Sequence, residues 1–155
     1  MKVLLTALNS KYIHTNLAVR YLKEYAAQYG YGCEIAEYTI NQHLPDILEE
    51  VYRRSPDVLL LSCYIWNIGM MMELAEEYRR ICPQTIILAG GPEVSYNSAQ
   101  LCRSSLPWTA YCAERGKPPF WNTCAFSMES CPSSRYTRCA GGIKTERSKA
   151  ILPPS

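Results

Sequence analysis

Apolar positions fall in four short runs, and the stretches between them repeat at three- and four-residue steps. Lys2 to Leu8 (KVLLTAL) is the kind of run that forms a strand buried on both faces, and Asn9 and Ser10 end it with polar loop chemistry. From about Asn16, residues Leu17, Tyr21, Leu22, Tyr25 and Ala26 recur with helical spacing until Gly30 and Gly32 stop the pattern. Cys33 to Tyr38 (CEIAEY) reads as an alternation of apolar and acidic residues, as an outer and less buried strand would show. Pro45 and Asp46 open a second helix carrying Ile47, Leu48, Val51 and Tyr52 on one side, which Ser55 and Pro56 close. Val58 to Ser62 (VLLLS) is the most apolar run and is expected at the centre of the sheet. Asn67 is placed to cap a third helix with Met71, Leu74, Ala75 and Tyr78 inward, and Met70 to Met72 read as adaptable packing. Thr85 to Ala89 (TIILA) is the fourth strand, followed at once by Gly90, Gly91, Pro92 and Glu93.

Strands alternating with helices imply right-handed crossovers and a parallel sheet. The expected fold class is α/β, a flavodoxin-like (Rossmann-like) doubly wound sheet with strand order two, one, three, four. In such sheets ligands bind outside the carboxyl ends of the strands, where the winding reverses. That point brings three loops together: Asn9 to Asn16, Cys63 to Asn67 and Gly90 to Tyr96.

The loops carry binding chemistry rather than catalytic chemistry. Gly90 and Gly91 let backbone approach closely or take positive φ, with a plain turn as the equal alternative. They form neither a dinucleotide fingerprint nor a Walker loop. Ser62, Tyr64, Trp66 and Asn67 combine a hydroxyl, two flat rings and an amide, which suits a large planar ligand or, equally, packing on a neighbouring domain. Glu93 is the only carboxylate of these loops, so paired-carboxylate catalysis has no second member. His14 and His43 read as ordinary loop histidines, and no nucleophile–base constellation is evident. The expected binding residues are Asn9, Ser10, Ser62, Tyr64, Trp66, Asn67, Gly90, Gly91, Pro92 and Glu93, with no catalytic residue and no protein metal ligand.

Composition separates the first hundred residues from the rest. Met1 to Gln100 hold eight Lys/Arg against eleven Asp/Glu, whereas Leu101 to Ser155 hold eight against three. Five of the eight cysteines and six of the ten prolines lie in this second part. The cysteine spacings match no zinc or iron–sulfur pattern, and without a signal segment the thiols are expected to be reduced in a cytoplasmic protein. No run of eighteen apolar residues offers a membrane span. The surplus of positive charge in the tail is weak support for nucleic acid binding, and none is expected.

The segments LNSKYIHTNLAVRYL, LLLSCYIWNI and LAGGPEVSY sit at the three loops, and together they resemble the N-terminal cobalamin-binding domain of vitamin-B12-binding radical SAM proteins. The resemblance covers nearly all of residues 1–97. It implies a corrin held over the strand ends, beside a radical SAM domain that supplies the iron–sulfur cluster and S-adenosylmethionine. The CxxxCxxC motif of that second domain is absent from these 155 residues, and so is the DxHxxG motif of methionine-synthase-like domains, so cobalt ligation by His14 is not implied. A flavodoxin-like domain for another planar cofactor such as flavin, and a truncated product without function, are the alternatives.

The family pattern would continue with a helix and a fifth strand ending in a Gly-Glu-Gly turn, but after Gln100 the periodicity is lost. Codons compatible with Leu101 to Lys117, read from the third base of each, restore both patterns and that turn. The expectation is therefore a domain over residues 1–100 truncated after the fourth strand, with 101–155 a frame-shifted, loosely packed tail. An exposed edge and marginal stability would follow.

Overall fold

The computed structural model describes residues 1–11, 15–96 and 110–112 of the chain. The first strand, β1 (Val3–Asn9), is buried along its whole length. It lies between β2 (Cys33–Thr39) and β3 (Val58–Ser62), and β4 (Ile86–Gly90) follows β3. All pairings are parallel, so the winding reverses between β1 and β3, where a crevice was expected.

The helices form where capping and spacing direct. Helix α1 (Leu17–Gln28) begins at Asn16, whose side-chain oxygen accepts from the N–H groups of Ala18 (3.0 Å) and Val19 (3.3 Å). It ends where Gly30 takes φ +80°, so that Gly30 N–H reaches Ala27 O and Tyr31 N–H reaches Ala26 O, a Schellman stop. Helix α2 (Leu44–Arg54) has Pro45 and Asp46 in its first turn and Arg53 and Arg54 in its last, as the helix dipole favours. Helix α3 (Ile68–Ile81) connects β3 to β4, and the short α4 (Pro92–Tyr96) follows β4.

Period-two alternation along the strands divides the core. Leu4, Leu8, Leu59, Leu61, Ile87 and Ala89 meet Ile47 and Val51 of α2 and Met71, Leu74 and Tyr78 of α3. Val3, Leu5, Ala7, Val58, Leu60 and Leu88 form the other face with Val19 and Ala26 of α1. Cutting a fully buried leucine such as Leu59 to alanine should cost about 2–5 kcal/mol. Within α1 the inward set is Val19, Leu22, Tyr25 and Ala26, whereas Leu17 and Tyr21 face outward, a correction to the stripe expected from spacing alone. Tyr52 of α2 is likewise exposed. Positions a turn apart can lie on the rim of a helix rather than on its buried side.

One expectation about the edge is overturned. Ala110–Cys112 form β5, paired in parallel with Leu88, Ala89 and Gly90, so the sheet has five strands in the order β2-β1-β3-β4-β5. A three-residue strand can be recruited by backbone hydrogen bonding alone, which leaves no periodicity to read. The remainder of the expected tail, 101–109 and 113–155, lies outside the described residues.

Candidate binding site at the strand ends

The register places Glu37, Ala7, Ser62, Gly90 and Cys112 in one row across the carboxyl end of the sheet. Its middle members, Ala7, Ser62 and Gly90, are small. Asn9 and Ser10 stand at the end of β1, Tyr64 to Asn67 at the end of β3, and Gly91 to Glu93 at the end of β4.

The β1 and β3 ends are joined by one amide. Asn67 is 1% exposed, and its Nδ2 donates to Leu8 O (2.9 Å) and Ser62 O (3.0 Å) while its Oδ1 accepts from Tyr64 N–H (2.8 Å). Asn67 therefore holds the N-cap position of α3 without a side-chain cap, contrary to expectation. Carbonyl groups left at the ends of two strands are the stronger competitors for its amide, because buried backbone groups demand partners.

The β3 and β4 ends meet through backbone. Cys63 N–H donates to Gly90 O at 2.7 Å, and Glu93 N–H reaches Cys63 O at 3.5 Å. Gly91 takes φ +120°, and a Cβ there would lie 2.3 Å from Cys63 O, so this crossing needs a residue without a side chain. Cys63 is fully buried, and burial, followed by the Glu93 charge, pushes its thiol up to about 12 despite the Gly90 contact. It stays a protonated packing group rather than a nucleophile.

The outer wall is apolar. Tyr64 and Trp66 stack with ring centroids 4.6 Å apart and planes 10° apart, leaving Trp66 48% exposed and the neighbouring Ile65 77% exposed. The two rings thus cover one another, and Trp66 with Ile65 offers the free surface. Leu17, at the start of α1, adds a third exposed apolar side chain at the sheet end towards which that helix begins. Ser10, Tyr64 and Glu93 are half-buried and Pro92 is exposed, while Asn9 is buried against its neighbours.

A carboxylate from outside the three loops completes the floor. Glu37 Oε1 accepts from the backbone N–H of Asn16 (2.6 Å) and from Asn9 Nδ2 (3.2 Å), and Oε2 accepts from Arg20 (2.7 Å). Burial pushes its pKa up, but the Asn16, Asn9 and Arg20 contacts together hold it below the ordinary glutamate value. Sequence reasoning missed Glu37, although a signal existed: it shares parity with Cys33 and Ile35, which pack beneath α1. His14 lies outside the described residues, and His43 starts α2 without a side-chain cap.

The donor set suits a broad, partly apolar ligand with hydrogen-bonding edges. Such a ligand needs a flat wall, small residues below it and a few polar groups at the margin, which Trp66, Gly90, Ser62 and Asn9 supply. Among the described residues no group of three His, Cys, Asp or Glu side chains could hold a metal ion, and no helix is long and apolar enough to cross a membrane.

Known proteins resemble the chain over different spans. A solved cobalamin-binding protein from Desulfitobacterium hafniense is 16% identical, with 64% of this chain and 48% of that chain covered and a TM-score of 0.41. Over 39 residues, 25% of this chain, the sequence is 46% identical to the cobalamin-dependent radical SAM methyltransferase TokK of Streptomyces tokunonensis. The same identity and span relate it to the 2-(S-pantetheinyl)-carbapenam-3-carboxylate methyltransferase of Streptantibioticus cattleyicolor. In both cases the match spans only 6% of the relative's own length. The family model described as the B12 binding domain matches residues 3–119, and the chain belongs to that family.

Proposed function

We propose that this chain is a cobalamin-binding module which holds the corrin over the carboxyl ends of β1, β3 and β4 and serves a radical SAM domain as its working partner. The observation that supports this reading is the tying together of neighbouring strand ends, by Asn67 between β1 and β3 and by the Gly91–Cys63 crossing between β3 and β4. Trp66 and Ile65 would supply apolar contact to the macrocycle, with Asn9, Ser10, Ser62 and Glu93 meeting the polar groups at its edge. Gly90, Gly91 and Pro92 would set how closely backbone approaches it, and Asn67 and Tyr64 would hold the wall in place. Bound cobalamin would supply the cobalt-centred chemistry of methyl or electron transfer, and the chain's own residues bind and orient it. The iron–sulfur cluster and S-adenosylmethionine would belong to the partner domain.

Residues 101–155 enter the proposal as a segment altered by a shift of reading frame. Sequencing the gene from codon 98 onward tests this directly: a Gly-Glu-Gly turn and then CxxxCxxC in the alternative frame are expected. Their absence would make the present tail genuine. For the binding reading itself, mixing the full chain with hydroxocobalamin should shift the visible corrin absorbance in a saturable way. A folded chain that leaves the spectrum unchanged would remove it.

A further inference from the structure

Glu37 lies on β2, outside the three loops in sequence, yet its carboxylate bonds directly to Asn9 and Asn16 at the two ends of the first loop. Both oxygens are engaged, with the Asn16 N–H and the Asn9 amide on one and the Arg20 guanidinium on the other. Asn16 in turn uses its Oδ1 to cap α1 and its Nδ2 to donate to Ser62 Oγ at 3.3 Å. The path therefore runs from β2 through the first residue of the α1 cap to the last residue of β3, across the β1–β3 crevice.

We propose that Glu37 is the positioning residue of this site: it fixes Asn9 and Asn16 and, through Asn16, the orientation of the Ser62 hydroxyl. Three physical features favour this role over a plain surface ion pair. The Glu37 side chain is 19% exposed, whereas its partner Arg20 is 54% exposed, so the carboxylate is the embedded member. Two of the three contacts come from uncharged N–H donors, and the 2.6 Å bond from Asn16 has the short length of a charge-assisted hydrogen bond. Finally, Asn16 is buried at 9% exposure, so loss of the carboxylate would leave its N–H short of a partner and favour a different local conformation. β1 contributes Asn9 and no charged group to this cluster, and α1 contributes Arg20.

The role rests on the crevice being the cobalamin site, so the test has one arm that needs the ligand and one that does not. In the ligand-free arm, amide spectra of the full-length chain are compared with those of the Glu37→Gln variant. The Asn16 backbone amide proton should move upfield as its charged acceptor is replaced by the weaker, neutral amide oxygen, and resonances of Ser62, on a different strand, should move with it. A change confined to Glu37 and its chain neighbours would overturn the proposal. In the ligand arm, Glu37→Gln should weaken hydroxocobalamin binding about tenfold, as loss of a charge-assisted contact would. Asn16→Ser keeps a good helix cap but has no amide to donate to Ser62, so it should weaken binding several-fold with little change in melting temperature. It also keeps the proposal falsifiable if Glu37→Gln fails to fold. Affinity within twofold of the unaltered chain in Asn16→Ser would overturn the link to Ser62. If the unaltered chain itself binds no hydroxocobalamin, the cobalamin reading fails, and the positioning role is decided by the amide spectra alone.

Discussion

The two ends of this sheet are built on opposite plans. At the amino end of the strands, exposed charges gather: Lys2 pairs with Glu34 at 3.5 Å, Arg54 with Glu34 at 3.7 Å, and Asp57 accepts from the Lys2 N–H at 2.6 Å. At the carboxyl end, polar side chains turn inward to tie loops together, and Leu17, Ile65 and Trp66 turn outward. Exposed ion pairs contribute little to stability and tolerate change, whereas inward amides fix shape and outward apolar groups gain by being covered. Exposed apolar side chains also occur at the amino end, among them Tyr29, Tyr31 and Ile81, so what sets the carboxyl end apart is its inward-turned amides.

Substitutions at the two ends should therefore separate stability from binding, in a graded order. Gly91→Val should be the most damaging, since its side chain would overlap Cys63 O in a backbone conformation that branched residues avoid. A loss of about 4 kcal/mol in chemical denaturation is expected, or failure to fold. Asn67→Ala removes a buried amide that satisfies three backbone groups, and about 2–3 kcal/mol should be lost, together with binding. Trp66→Ala should change stability by less than about 1 kcal/mol, because the ring is half exposed, yet weaken hydroxocobalamin binding at least tenfold. Asp57→Asn, at the other end, should alter stability by less than about 1 kcal/mol and leave binding unchanged. A binding loss in Asp57→Asn equal to that in Trp66→Ala would erase the distinction between the two ends.

Acid should also act on the carboxyl end selectively. Glu37 has a folded pKa below its unfolded one, so its contribution to stability is present above the ordinary glutamate range and fades as pH falls through the lowered value. Denaturation midpoints measured along an acid series should fall less steeply for Glu37→Gln than for the unaltered chain.

Much of the fold was legible because burial on both faces writes continuous apolar runs: Val58 to Leu61 could hardly be anything but a central strand. The strand order followed from crossover handedness, and the three site loops from the strand order. What escaped notice had weaker or misleading signals. By residue type Glu37 is indistinguishable from Glu34 on the same outer strand, yet three positions separate them, so they point to opposite faces. Asn67 was readable as a boundary residue, but which groups its amide would serve depends on Leu8, far away in sequence. Tyr64 and Trp66 were recognised as flat rings, but only the turn between them makes them stack on each other and leave one free face. β5 carries no pattern at all, since its pairing is a property of the edge it joins.

The most direct test of the account is a titration of the full chain with hydroxocobalamin, followed by corrin absorbance, with folding verified by a cooperative circular dichroism melt. A saturable one-to-one spectral change that Trp66→Ala weakens and Asp57→Asn does not is the predicted result. A cooperatively folded chain that leaves the corrin spectrum untouched would contradict it.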